Sequence, residues 1–285
     1  MQGDRTVIAY HGNCPDGFSG AYAAWKKFGD TAEYLPLAHG KPPATELAGA
    51  KVYFIDFCYT KEVMDAIVAE AASVTVLDHH EGVADVVRSM PEYVFDANRS
   101  GATIAWTYFH PEVPVPEFLK YVEDGDLYRW KLPDARTVLA YAYTKPFTNE
   151  NWDMLIEELE NPEMRATLLA KGATYAEYRT LIIDSLVERA EPVLFEGMTC
   201  YLASAPSIFA SDVGNGLYTK HGGVALIAQV RADGLRISLR SNGDINVAEI
   251  AQKYGGNGHP GSAGISLPFG SPIPWAPLPD EDTRD

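Results

Sequence analysis

Short apolar runs recur along the first half of the chain, each followed by a stretch with helical spacing. Thr6-Val7-Ile8-Ala9-Tyr10, Lys51-Val52-Tyr53-Phe54-Ile55 and Val74-Thr75-Val76-Leu77 read as strands. Helical patterns from about Gly17 to Lys27 and from Lys61 to Ala71 separate them. Strands alternating with helices predict parallel pairing in an α/β sheet. Each run ends at a polar cluster: His11 to Asp16, Asp56, and Asp78-His79-His80. In an open parallel sheet the carboxyl ends of the strands line the ligand crevice, so three clusters at three such ends predict one shared site.

Further along, Asn98 to Phe109 reads as a loop running into a helix, with Arg99-Ser100-Gly101 as either an anion-binding helix start or a plain serine cap. Pro111 to Pro116 breaks the pattern before a helix around Glu117 to Glu123, and Asp124-Gly125-Asp126 follows. From about Asn151 to Ala190 the spacing is helical. β character returns at Gly197 to Ala203, Gly223 to Val230 and Gly234 to Arg240, with a helix at Val247 to Tyr254. The reading is an α/β protein: a parallel-sheet domain over 1–148, a helical connector over 149–190, a smaller α+β domain over 191–270 and a mobile acidic tail over 271–285. His39 and Lys41 fall in a Gly-Pro-rich loop expected at the surface. Tyr121, Tyr128 and Trp130 read as core in preference to a base-stacking platform.

Charge changes the picture in one respect. The 285 residues carry 23 Lys+Arg against 39 Asp+Glu, a net of −16. Binding long duplex nucleic acid relies on many Lys and Arg displacing counterions, so that role is excluded as an expectation. An anionic substrate would need a local reversal of sign, which bound divalent cations supply. The three cysteines, Cys14, Cys58 and Cys200, form no CxxC pair and no even framework. No long apolar run suggests a membrane span or signal peptide, so the expectation is a cytoplasmic protein without membrane partners.

Carboxylates and imidazoles in the four clusters suit Mn²⁺, Mg²⁺, Fe²⁺ or Zn²⁺, and together they could hold two adjacent ions. Asp78-His79-His80 and a distant second segment, Gly255-Gly256-Asn257-Gly258-His259-Pro260-Gly261-Ser262-Ala263-Gly264, carry a resemblance. The chain resembles the DHH phosphoesterase superfamily, with a C-terminal DHH-associated domain of the first type, as in nanoRNases and pAp phosphatases. Arg240-Ser241, ahead of the second segment, also resembles that domain. The two anchors span nearly the whole chain, from about Ile8 to Ile265.

The resemblance implies a metal-dependent phosphohydrolase acting on small phosphate esters or short single-stranded oligonucleotides, with one or two Mn²⁺ or Mg²⁺ ions. It implies His11, Asp16, Asp56, His79 and Asp124 as metal ligands, with Asp126 as the alternative to Asp124. Asp78 would orient His79, while His80 would face the substrate phosphate. Arg240, Ser241, Gly255, Gly256, Gly258 and His259 would bind substrate, with Arg240 also stabilising charge in the reaction. One departure stands out. Family members carry a second aspartate in the first motif, and the flanking positions here are Cys14 and Phe18. The rival readings are an inorganic pyrophosphatase or exopolyphosphatase, and a nucleotide-binding protein with a degenerate metal site. A homodimer is left open.

Overall fold

Alternate residues of the N-terminal strands face opposite sides of one sheet, and both sides are covered. The computed structural model describes residues 5–38 and 46–278. Its chain folds as two compact units, Met1–Ala176 and Glu177–Asp285. In the first unit, strands β1 (Thr6–His11), β2 (Glu33–Leu37), β3 (Lys51–Ile55), β4 (Ser73–Asp78) and β5 (Glu92–Phe95) pair in parallel, in the order β2-β1-β3-β4-β5. Ile8, Ile55 and Leu77 enter one core. Val7, Ala9, Val52, Phe54, Val74 and Val76 enter the other. That two-sided burial is why the runs read as continuous apolar segments and not as alternating ones.

Helices α1 (Pro15–Phe28), α4 (Gly101–Phe109), α5 (Glu117–Asp126), α6 (Ala135–Ala142) and α7 (Asn149–Glu160) contribute to the first core. Helices α2 (Lys61–Glu70) and α3 (Ala84–Arg88) supply Met64 and Val87 to the second. Trp152 is fully buried and donates its indole N–H to Ser19 Oγ at 2.8 Å, which ties α7 to α1. The strand order reverses between β1 and β3, because β2 lies on one side of β1 and the later strands on the other. The carboxyl ends of β1 and β3 therefore flank the crevice where open α/β sheets place ligands.

The long α8 (Pro162–Glu188) runs through the division between the units. Of its apolar residues Leu168 is buried, whereas Tyr175, Tyr178 and Leu181 are exposed. The second unit carries a seven-stranded sheet in the order β10-β11-β9-β8-β7-β6-β12. Its strands are β6 (Glu191–Phe195), β7 (Met198–Ser204), β8 (Ala225–Arg231), β9 (Gly234–Arg240), β10 (Asn257–His259), β11 (Ser262–Pro268) and β12 (Trp275–Pro277). The pair β7–β8 is parallel and the other pairs are antiparallel. A parallel pair needs a crossover, and α9 (Ala210–His221) provides it. Within the stretch expected to be a tail, Trp275–Pro277 form β12, an edge strand beside β6. An edge tolerates the prolines that would break an interior strand. His39 and Lys41, and residues 279–285, lie outside the described residues.

The helix α10 (Val247–Lys253) starts at Asn246, whose Oδ1 accepts from the N–H groups of Ala248 and Glu249 at 3.1 and 3.4 Å. Asn246→Ala is expected to lower the unfolding free energy by about 1 kcal/mol, measured by urea denaturation. Among the described residues no helix is long and apolar enough to cross a membrane.

Candidate metal centre

The site is built where three strand ends and two helix starts converge. Asp56 is the residue after β3. Its N–H donates to the Leu77 carbonyl at 2.9 Å, continuing the ladder, while its backbone turns into the left-handed region at φ 55°. Aspartate is among the few non-glycine residues that tolerate this conformation. The turn leaves the Asp56 carboxylate buried among histidines. His11 Nδ1 lies 3.3 Å from one oxygen and His79 Nε2 3.2 Å from the other.

Asp16 sits in the first turn of α1 and is buried. Its two oxygens accept from the N–H groups of Gly101 and Ala102, at 2.6 and 3.0 Å, which are the first residues of α4. The anion at that helix start is therefore the chain's own carboxylate, favoured there by the unpaired N–H groups and the helix dipole. Ser100, at the cap position, makes no side-chain cap bond. Each Asp16 oxygen accepts one such bond and, as an ionised carboxylate, retains further lone-pair capacity. Gly17 lets α1 start against the end of β1, because a Cβ there would lie 2.3 Å from the His11 carbonyl oxygen.

Asp78 ends β4 and organises the turn that follows. Its Oδ1 accepts from the backbone N–H groups of His79 and His80, at 2.6 and 3.0 Å, and lies 2.7 Å from His80 Nδ1. The imidazole that Asp78 meets is thus that of His80, while His79 is met by Asp56. His79 Nε2 also lies 3.8 Å from Asp16 and 3.6 Å from Asp126.

The structure brings Asp126, and not Asp124, to this cluster. Both oxygens of the buried Asp124 accept from backbone N–H groups, of Lys131 at 3.0 Å and Leu132 at 3.1 Å. Asp124 therefore shapes the turn after α5, and its neighbour two residues on faces His79. Asp126→Ala is expected to weaken divalent-cation binding with little change in stability. Asp124→Ala, which strands two N–H donors, should cost about 1–3 kcal/mol of stability. Calorimetric cation titration and urea unfolding of both variants separate the two effects.

Three groups of donor atoms result, each with all its atoms within 4.8 Å of one another: Asp56, Asp78, His79 and His80; His11, Cys14 and Asp56; and Asp16, His79 and Asp126. Asp56 belongs to two of them. Burial pushes the Asp16 carboxyl well above the usual range, helped by the Asp56 and Asp126 charges. Burial also opposes charge on Asp56, but hydrogen bonds to His11 and His79 outweigh it and hold that carboxyl low. Asp126 is raised to about 6 by desolvation and by Asp56. Burial works against protonation of the two histidines, yet their aspartate partners prevail, raising His79 to about 10 and His80 to about 9. Burial and the surrounding carboxylates push the Cys14 thiol up.

These shifts fix a pH dependence. A histidine raised above its ordinary value of 6.5 contributes stability that is complete below pH 6.5 and is lost as pH climbs through the folded value. Cation-free protein in EDTA should therefore lose stability between pH 6.5 and about 10. Saturating divalent cation should flatten the dependence, because the ion takes the proton's place. Urea unfolding at a series of pH values, with and without EDTA, reads this directly.

In the second unit, Arg240 ends β9 and packs over Gly214 of α9. Its guanidinium donates to the carbonyls of Leu239 and Ala263 at 3.0 and 3.4 Å and to Ser211 Oγ at 3.3 Å. Ser241 is buried, its hydroxyl donating to the Ile245 carbonyl at 2.7 Å. The N–H groups of Gly255 and Gly256, expected to face an anion, instead go to the Gln252 and Ala251 carbonyls and close α10. Gly258 and His259 lie in the hairpin that β10 makes with β11. In the first unit Tyr121 is buried and donates to the Pro133 carbonyl at 2.8 Å. Tyr128 and Trp130 are half-buried, with Arg136 over the Trp130 ring at 4.0 Å.

Comparison with known proteins places these features. Residues 205–271 match the DHHA1 domain family. The fold is shared with the DHH domain of a member of a family of ribosomal proteins, at a TM-score of 0.61 and 14% identity, covering 93% of this chain and 83% of that one. It is also shared with RecJ from Thermus thermophilus in complex with Mn²⁺, at a TM-score of 0.52 and 14% identity, covering 93% of this chain and 50% of RecJ. An uncharacterized protein of Acanthamoeba polyphaga mimivirus is 27% identical over 92% of this chain and 67% of its own length. The match over residues 205–271 and the fold shared with these two structures are in keeping with the resemblance read from the two motifs.

Proposed function

We propose that this chain is a divalent-cation-dependent phosphoesterase that hydrolyses phosphate ester bonds in small nucleotides or short single-stranded oligonucleotides. One observation carries the reading: His79 Nε2 lies within 3.8 Å of carboxylate oxygens from Asp16, Asp56 and Asp126, drawn from three separate segments. Acids gathered this closely repel one another, and a divalent cation turns that repulsion into attraction. The oxygen-rich donors around His79 fit Mn²⁺ or Mg²⁺, and the fold is shared with RecJ in complex with Mn²⁺.

His11, Asp16, Asp56, His79 and Asp126 are the residues that would hold one or two ions. When bound, such ions neutralise a phosphoryl group and activate water for attack on phosphorus. Asp56 offers one oxygen toward His11 and the other toward His79, so it can serve both donor groups. Asp78 fixes His80 through Nδ1. His80 is the proposed proton donor to a non-bridging or leaving oxygen. In the second unit Arg240 and His259 are the proposed phosphate-recognising side chains.

The reading is tested by turnover of a panel with Mn²⁺: pAp, dinucleotides, short oligomers, cyclic dinucleotides and pyrophosphate. Release of product from a nucleotide class, lost on adding EDTA and in His79→Ala, supports it. Phosphate released from pyrophosphate alone would favour the pyrophosphatase reading. Nucleotide binding with no turnover of any substrate would favour the degenerate binding protein.

A further inference from the structure

We propose that Cys14 is a metal ligand, and that with His11 and Asp56 it forms a cation position selective for zinc-like ions over Mg²⁺. The inference rests on the cation-binding reading above and goes beyond it by making the two positions chemically unequal. Cys14 Sγ, a His11 ring nitrogen and an Asp56 oxygen lie within 4.8 Å of one another. They come from the end of β1, the β1–α1 turn and the end of β3. Asn13, at φ 56°, makes the turn that leads from His11 to Cys14.

Cys14 occupies the cap position of α1, where its sulfur meets only the backbone N–H of Gly17. Serine, aspartate and asparagine serve there far better. Cys58 and Cys200 are buried within apolar clusters, with Sγ near backbone carbonyls. Cys14 belongs to none of those clusters and lies beside His11 and the Asp56 carboxylate. A packing thiol gains little from carboxylate neighbours, whereas a ligand thiol belongs with other ligands.

The donor chemistry sets the selectivity. Sulfur, imidazole nitrogen and one carboxylate oxygen suit Zn²⁺, Co²⁺ or Fe²⁺ and discriminate against Mg²⁺. The other position, with Asp16, His79 and Asp126, offers two oxygens and one nitrogen. Cys14 coordinates as the thiolate, and its proton passes to the buffer as the cation binds.

Titration of cation-free protein with Co²⁺ tests this without any assay of activity. The wild type is expected to develop a thiolate-to-cobalt charge-transfer band in the near ultraviolet. Zn²⁺ should remove the band by displacement, and excess Mg²⁺ should not. Cys14→Ser should lose the band and weaken binding of one equivalent by more than the roughly 10–100-fold cost of losing an outer-shell partner. Cys14→Asp should bind two equivalents without the band, with a preference moved toward Mn²⁺, and it serves as the folded comparison should the serine variant be unstable. Cys58→Ala and Cys200→Ala should keep the band. Co²⁺ bound with no band in the wild type, or a band that survives in Cys14→Ser, overturns the role of Cys14 and leaves the cation site standing. Absence of any Co²⁺ binding overturns the cation site and this inference together.

Discussion

Asp56→Asn is expected to lower turnover by at least about 10³-fold while the protein remains folded. Loss of a single preorganised electrostatic contact in an active site commonly costs roughly 10²–10³-fold. Asp56 is asked for more, because its two oxygens face His11 on one side and His79 on the other. Asparagine keeps the shape and the tolerance for φ 55°, and alters the charge. Alanine would confuse the result by adding left-handed backbone strain. The measurement is kcat on bis-p-nitrophenyl phosphate with Mn²⁺, alongside circular dichroism and Co²⁺ stoichiometry. Turnover above a tenth of the wild-type value would sink the proposed centre.

Gly101→Ala should be nearly as damaging, although glycine brings no chemistry of its own. A Cβ at this position would lie 2.6 Å from Asp56 Cβ, 3.1 Å from Asp56 Cα and 2.9 Å from Asp16 Oδ2. Two of these atoms are not the far ends of flexible side chains, so the start of α4 and the end of β3 must move apart. Overpacking of this kind costs roughly 1–3 kcal/mol. Displacing a catalytic group by about 1 Å can cost on the order of 10²-fold in rate. The expected result is a Gly101→Ala protein with weakened cation binding and turnover lowered about 10²-fold. Calorimetry and steady-state kinetics on one preparation check both. A variant with wild-type cation affinity would show that Asp16 and Asp56 need not be held this closely.

The strand ends were the legible part of this site. The three central strands, β1, β3 and β4, are buried on both faces and write unbroken apolar runs, and the polar residues that end them stand out against that background. Asp124 against Asp126 was not legible. The helix continues to Asp126, and positions two apart on a helix point roughly 200° from each other, so only one faces the cluster. Which one depends on the turn that follows, where Lys131 and Leu132 claim Asp124. The strand β2 was hidden by Pro36 and by its place at the sheet edge. The glycine-rich segment was visible as a motif, but sequence could not show that two of its N–H groups close α10. The crossover helix α9 carries Gly214 and Gly216, which weaken a helical pattern although tertiary packing sustains it. Cys14 was visible as the departure in the first motif, and the structure adds that it lies outside the apolar clusters.

The fork that Asp16 makes with the start of α4 also bears on when the centre can form. His11, Asp56 and His79 are present as soon as β4 and the turn after it have been synthesised, but Asp16 is held only after Gly101 and Ala102 have docked, and Asp126 comes later still. Between the synthesis of His79 and that of Asp126 a nascent chain therefore carries only part of the proposed ligand set. Contacts this distant in sequence form slowly, because the intervening loops must close first. On the proposed reading, a cation would bind the finished domain and stabilise it by mass action.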